Sequence, residues 1–221
     1  MIAVVPIKCH SERVPRKNLR PLGGKPLLDH VLRAVLEAIE NFDDVWVDTD
    51  CDEISSIVRE NFSKVRVHRR AGPALGTRTS MTAVLQSFLS TLEPDDVFQT
   101  HVTNPFLDSE TIDGAVQSFR EARKAGFDSL FASRTIQARF WDANFEAVNH
   151  EPSELIPTQS LPPLLLETST FYIFPSEMLM KSGNRIGKNP LNYEVSEKVG
   201  FDIDTEQDFE LAEILWRGLH P

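Results

Sequence analysis

Cysteine is scarce in this chain: Cys9 and Cys51 are all that its 221 residues contain. Two thiols without metal-ligand spacing cannot build a disulfide framework, so both are expected to be reduced. Long hydrophobic runs are also missing, and nothing approaches the ~20 consecutive apolar residues of a membrane helix. The start, Met1-Ile2-Ala3-Val4-Val5-Pro6, has no basic region followed by a long apolar segment and a small-residue cleavage site. No secretory signal is expected, and the cytoplasm is the expected compartment. Positive charge is in deficit, the formal net charge being −10; general nucleic-acid binding, which needs a basic face, is disfavoured. Neither a Walker A pattern nor Gly-x-Gly-x-x-Gly occurs, which disfavours an ordinary P-loop ATPase or a dinucleotide enzyme. Internal repeats and low-complexity segments are absent as well.

What is present suits one sizeable α/β core, with 41% hydrophobic and 25% charged residues. Met1 to Ile7 reads as a buried strand, and a Pro- and Gly-punctuated loop follows it. Leu28, Val31, Leu32, Val35, Leu36 and Ile39 then recur at helical spacing. Strand-like and helix-like segments alternate onward: strands at 44–49, 65–68, 96–101, 127–133 and 170–174, helices at 53–62, 80–92, 109–122 and 205–216. Such alternation predicts a mainly parallel sheet covered by crossover helices. Regularity fades from Gln137 to Glu167, where Pro152, Pro157, Pro162 and Pro163 mark an excursion from the core.

Two segments carry candidate chemistry. Lys8, Arg13, Arg16, Lys17, Arg20 and Lys25 form a cationic island just after the first strand. Open α/β sheets bind ligands at the carboxyl ends of their strands, so this island is placed to focus a small polyanion such as a triphosphate. Far away in sequence, Phe201-Asp202-Ile203-Asp204-Thr205 alternates in strand fashion, which predicts Asp202 and Asp204 on one face of an extended segment. Paired carboxylates suit Mg²⁺, which keeps several positions for water and substrate phosphates. Asp204 is alternatively a cap for the helix that follows. Asp48 and Asp50, also between a strand and a helix, are read as turn-forming or nucleotide-adjacent.

The first loop, Pro6-Ile7-Lys8-Cys9-His10-Ser11-Glu12-Arg13-Val14-Pro15-Arg16-Lys17-Asn18, resembles that of acylneuraminate and related sugar-acid cytidylyltransferases. In those enzymes a Pro-Ala-Arg-Gly-Gly-Ser-Lys-x-x-Pro-x-Lys-Asn loop wraps the phosphates of CTP. Pro6, Ser11, Pro15, Lys17 and Asn18 match, and Pro21-Leu22-Gly23-Gly24-Lys25-Pro26-Leu27 continues the likeness. Lys8 replaces the family's Arg, and Cys9-His10 replace Gly-Gly. Asp-Ile-Asp-Thr at 202–205 is similar to the end of the family's catalytic sheet.

The resemblance implies a three-layer, Rossmann-like nucleotidyltransferase fold over residues 1–221, with 137–170 as a small β-arm for dimerisation that also completes the sugar site. It implies catalytic roles for Lys8, Lys17 and Asp202, with Mg²⁺ held by Asp202 and Asp204. Nucleotide contacts would come from Lys8, Ser11, Lys17, Asn18, Arg70, Thr79 and Ser80. Sugar contacts would come from His101, Thr103, Asn104, Gln159, Glu167 and Arg185. Arg78 stands where the family has Asp, and Leu107 where it has Arg. Phe140 and Trp141 are candidate anchors of the arm.

The expected substrates are CTP and a sialic-acid-like 2-keto-3-deoxy sugar acid, the expected products a CMP-sugar and pyrophosphate, and the expected assembly a homodimer. The alternatives are an enzyme of the same fold using 3-deoxy-manno-octulosonate or another sugar or NTP, and a catalytically silent sugar- or nucleotide-binding homologue.

Overall fold

The computed structural model describes residues 1–72, 79–92 and 94–220. Among these residues, nine strands and six helices follow one another as β1 (Ile2–Ile7), β2 (Pro21–Leu22), β3 (Lys25–Pro26), α1 (Leu27–Glu37), β4 (Asp44–Thr49), α2 (Asp52–Asn61), β5 (Val65–Arg69), α3 (Met81–Leu89), β6 (Asp96–Thr100), α4 (Ser109–Lys124), β7 (Ser129–Ile136), β8 (Leu164–Pro175), α5 (Ser176–Ser182), β9 (Pro190–Glu194) and α6 (Glu206–Leu219). Seven strands form one sheet in the order β5-β4-β1-β6-β8-β7-β9, while β2 and β3 make a separate small hairpin. Within the large sheet only β8 runs against its neighbours; the β5-β4-β1-β6 and β7-β9 pairings are parallel.

Side-chain alternation along the buried strands explains the layering. On β1, Ala3, Val5 and Ile7 enter one core with Leu28, Val31 and Leu32 of α1, Ile54 and Val58 of α2, and Ile112, Val116 and Phe119 of α4. Ile2 and Val4 face the other way, into a second core with Leu85, Phe88 and Leu89 of α3 and Leu179 of α5. The sheet is therefore the middle of three layers. Caps hold the helix ends: the Ser80 hydroxyl accepts from the Ala83 N–H at the start of α3, and the Asp108 carboxylate accepts from the Thr111 N–H at the start of α4.

A third, smaller cluster decides where the ends of the chain meet. Val14 from the first loop, Leu22, Leu27, Phe106, Ile203, and Phe209 and Ala212 of α6 pack together. Burying Ile203 there brings the C-terminal acids beside the loop that follows β1.

The structure departs from sequence expectation in several places. Phe201 to Asp204 belongs to no strand; it is strapped to the β6–α4 loop by Ile203 N–H donating to Thr103 O at 2.9 Å and Asn104 Nδ2 donating to Phe201 O at 3.1 Å. Alternation there reflects one buried isoleucine between two acids, not a ladder. The cap of α6 is Thr205, in a reciprocal capping box with Asp208, and not Asp204. α5, β9 and the β2–β3 hairpin have no counterpart in the expected elements. Residues 164–170, assigned to the excursion, form the first half of β8, with Thr168 and Thr170 buried.

Candidate active site

A cleft of about 320 Å³ opens at the carboxyl ends of β1, β5 and β6, lined among others by Lys8, Ser11, Arg13, Lys17, Asn18, Arg70, Thr79, His101, Thr103 and Asp204. The carboxyl edge of a parallel sheet is open because each crossover there must leave the strand end and turn back, which frees backbone and side chains for a ligand.

The loop after β1 is pinned so that its cations converge. Cys9 N–H donates to Asp50 Oδ1 at 2.7 Å, tying the loop to the end of β4. Asn18 Nδ2 donates to Lys8 O at 2.9 Å and closes the loop on itself. Arg16 takes the left-handed conformation at φ 54°, and Lys17 then opens a short 3-10 turn over 17–19. That turn buries Lys17 to 8% exposure. Its Nζ donates to Ile203 O at 2.5 Å and lies 3.6 Å from Asp204 Oδ1. Burial pushes the Lys17 pKa down, while Asp204 and Asp202 draw it back up. Residues 17 and 202–204, distant in sequence, thus occupy one place.

The acids differ from one another. Asp204 is half-buried and accepts from Arg13 NH2 at 2.6 Å. Asp202 lies deeper, and its Oδ1 is buried with no hydrogen-bond partner among the described residues. Burial raises the Asp202 pKa, and the Asp204 carboxylate adds to the rise against the opposing pull of Thr103 and Lys17. A buried, unpartnered carboxylate oxygen is costly unless something positive meets it. Among the described residues no third His, Cys, Asp or Glu joins the pair. Two hard oxygen ligands with the remaining positions left to water and phosphate fit Mg²⁺.

Asp48, wholly buried at the end of β4, holds the other wall. Its Oδ2 accepts from Arg70 Nε at 2.6 Å, its backbone oxygen from Arg70 NH2 at 2.9 Å, and its Oδ1 pairs with His68 Nδ1 at 2.7 Å. Arg70 is held rigidly at the cleft by this pair of bonds. Asp48 is therefore an orienter of a cleft residue, a role its position before a helix did not reveal.

The remaining candidates divide. Lys8 is exposed at the cleft, and Ser11, Thr79 and Thr103 line it. Ser80 is spent capping α3, and Asn104, fully buried, holds the 201–203 segment; neither lines the cleft. Gln159 lies on an exposed turn over 158–160. Glu167 and Arg185 are linked to each other through Tyr172: Tyr172 OH donates to Glu167 Oε1 at 2.6 Å, and the Arg185 guanidinium lies 3.5 Å over the Tyr172 ring. Arg78 falls outside the described residues.

Sequence reasoning missed Arg13 as the partner of Asp204, and Gln99, wholly buried between His101 and Arg185. A polar Gln directly after the apolar pair Val97-Phe98 of β6 was the available signal. Neither cysteine is in a disulfide, and hydrogen bonding to Cys51 and burial push the Cys9 thiol up to about 11, which disfavours its thiolate.

The cytidylyltransferase family model matches residues 2–215. An N-acylneuraminate cytidylyltransferase A of Danio rerio is 28% identical over 211 residues, 92% of this chain and 47% of its own. A pseudaminic acid cytidylyltransferase of Campylobacter jejuni is 25% identical over 227 residues, 99% of this chain and 97% of its own. The chain thus spans about half the length of the vertebrate relatives and nearly all of the bacterial one. Among solved structures, a CMP:2-keto-3-deoxy-manno-octonic acid synthetase complexed with CTP superimposes with a TM-score of 0.74 at 17% identity, covering 99% of this chain and 98% of the other. A 4-diphosphocytidyl-2C-methyl-D-erythritol synthase of Anaerococcus prevotii follows at 0.69 and 13%, covering 98% and 96%. At those identities the two likenesses speak for the fold.

Proposed function

Because the chain belongs to the cytidylyltransferase family, we propose that it transfers CMP from CTP to the anomeric hydroxyl of a sialic-acid-like 2-keto-3-deoxy sugar acid, releasing pyrophosphate. The observation that carries this reading is the convergence of Lys17 with Asp204 at a cleft rich in cations, with Asp202 buried close enough to act on the Lys17 charge although it does not line the cleft. Relatives named for N-acylneuraminate and pseudaminic acid support a nonulosonic acid as acceptor.

In this mechanism the anomeric hydroxyl gives up its proton to solvent as its oxygen attacks the α-phosphorus in line with the departing pyrophosphate, and no covalent enzyme intermediate is needed. The chain's task is alignment and charge compensation. Lys8 and Lys17 meet the phosphate oxygens. Lys17 is the better placed of the two, because its burial excludes water around the ammonium and strengthens its field. Arg70, clamped by Asp48, and Thr79 bound the nucleotide end of the cleft, and Ser11 and Asn18 shape the loop beneath the phosphates. Thr103 and His101 face the acceptor. Asp202 and Asp204 would hold Mg²⁺, with which the unpartnered Asp202 oxygen is compatible. Bound there, the ion would neutralise triphosphate charge and orient the phosphate chain. No helix among the described residues is long and apolar enough to cross a membrane; the cytoplasm is the compartment in which we place the reaction.

The segment 137–163 projects from the β7–β8 hairpin, whose ladder ends at the pair Ile136↔Leu164. Trp141, Phe145, Val148, Leu155, Leu165 and Leu166, on and beside it, expose half or more of their surface. Exposed apolar side chains of that kind are candidate contacts for a second copy, and a homodimer through this arm is the assembly we favour. Inside the arm the β character reduces to one bridge, Trp141↔Ala147, with Trp141 edge-on to His150 at 5.0 Å.

Pyrophosphate release measured with CTP, Mg²⁺ and a panel of nonulosonic and octulosonic acids tests the function. Turnover restricted to nonulosonic acids is the expected result. Preference for 3-deoxy-manno-octulosonate would move the reading to the alternative acceptor, and nucleotide binding without turnover of any acid or NTP would leave a silent homologue.

A further inference from the structure

His101 ends a chain of polar contacts that the mechanism above leaves unused. Gln99, wholly buried on β6, is the cross-strand partner of Tyr172 on β8. Its Oε1 accepts from Arg185 NH1 at 2.6 Å, and its Nε2 lies 2.7 Å from His101 Nε2. Arg185 is itself fixed, lying over the Tyr172 ring whose hydroxyl is held by Glu167.

Hydrogen-bond logic leaves one arrangement. A guanidinium has donors only, so the amide oxygen of Gln99 must face Arg185. The amide NH₂ is thereby turned to His101, and an NH₂ can only donate. His101 Nε2 must then carry the lone pair, and the proton of the neutral ring sits on Nδ1. Burial, with the Arg185 and Lys17 cations nearby, pushes His101 down to about 3 and keeps the ring neutral. Nδ1 finds no hydrogen-bond partner among the described residues, and the ring borders the cleft.

We infer that Gln99 is a positioning residue: clamped by Arg185, it holds His101 as the Nδ1-protonated tautomer, so that the ring offers an N–H donor to an acceptor oxygen of the sugar acid. The identity of that ligand rests on the proposed function; the tautomer does not. A lone-pair nitrogen at the same place would repel a carboxylate or carbonyl oxygen, so the amide orientation on β6 selects an acceptor-bearing substrate.

Long-range ¹H–¹⁵N correlation spectra of the ligand-free full chain, with His101 assigned by the disappearance of its signal in His101→Asn, read the tautomer directly. The wild-type ring should show Nδ1–H. In Gln99→Glu, the carboxylate keeps the Arg185 pair but can only accept, so Nε2 should become protonated. A wild-type Nε2–H tautomer or a doubly protonated ring at neutral pH would overturn the inference whether or not any substrate is turned over. With an active acceptor, Gln99→Glu should raise KM for the sugar acid ~10-fold, the value of one hydrogen bond, with KM for CTP within about twofold. A rise in KM for CTP alone, or no rise in either, would remove the donor from the acceptor site. Failure of every acid in the panel would sink the proposed function and leave the spectra to decide the tautomer.

Discussion

The two halves of the sheet are built by different rules. On one side, β5, β4, β1 and β6 are parallel and joined by crossover helices, with apolar residues filling both faces of β1. That half provides the rigid carboxyl edge carrying Lys8, Lys17, Arg70 and His101. On the other side β8 runs antiparallel between β6 and β7, and its hairpin with β7 extends into the 137–163 excursion. There the polar chain Glu167–Tyr172–Arg185–Gln99 reaches back to the cleft, and apolar side chains stay on the surface. A parallel edge suits a phosphate site because its position is set by buried strands. A hairpin can lengthen without disturbing those strands, so it suits a specificity and assembly element.

The comparison can be broken first at Lys17. Lys17→Met should lower kcat/KM for pyrophosphate release by ~10²–10³-fold, the scale expected for removing one preorganised charge from the transition state. A decrease of less than about tenfold would separate the parallel edge from the chemistry. Asp202→Asn is expected to lower the rate about as much, with the response to added Mg²⁺ flattened; an unchanged Mg²⁺ titration would place the ion elsewhere. Asp48→Asn acts differently. Because Asp48 pairs with buried Arg70, its neutralisation should cost about 3 kcal/mol of folding stability in urea titration. An unaltered midpoint would show that Arg70 needs no such clamp.

The other half is probed by assembly. Leu155 is 93% exposed, so Leu155→Asp should change stability by less than about 0.5 kcal/mol. In sedimentation it should nonetheless shift a dimer toward monomer. A monomeric wild type would remove the arm's proposed role. The α6 cap acts on folding alone. Thr205→Ala or Asp208→Ala should cost about 1 kcal/mol at pH 7. Burial pushes the Asp208 carboxyl up, but the Thr205 hydroxyl and the Asp204 and Thr205 backbone N–H groups hold it below its ordinary value. A depressed carboxyl stabilises the fold above its unfolded-state pKa and loses that contribution as pH falls through the folded-state value. The Asp208→Ala penalty should therefore shrink below about pH 4; a constant penalty would mean the cap acts without its charge.

Local pattern carried most of the first half. Period-3.6 apolar spacing at Leu28, Val31, Leu32 and Val35, the apolar run at 2–7 and the Val45-Trp46-Val47 centre of 44–49 appear as α1, β1 and β4, because each buries apolar side chains in the layers around the sheet. The second half was less legible. β8 takes its start from pairing Leu164 to Glu167 with β7, and exposed Leu165 and Leu166 give no core pattern to read. α5 and β9 are short elements held by their neighbours, where local propensity says little.

Residue chemistry alone was enough to nominate a cationic loop, a pair of acids and an α/β sheet, since charge type and apolar period are properties of neighbours in the chain. Which of those groups meet was decided by packing. Burial of Ile203 with Val14 and Phe209 closes the long separation between Lys17 and Asp204. The turn of the Gln99 amide depends on an arginine 86 residues away. Sequence carries the donors and acceptors; their directions exist only once strands and loops from distant positions are locked into one edge.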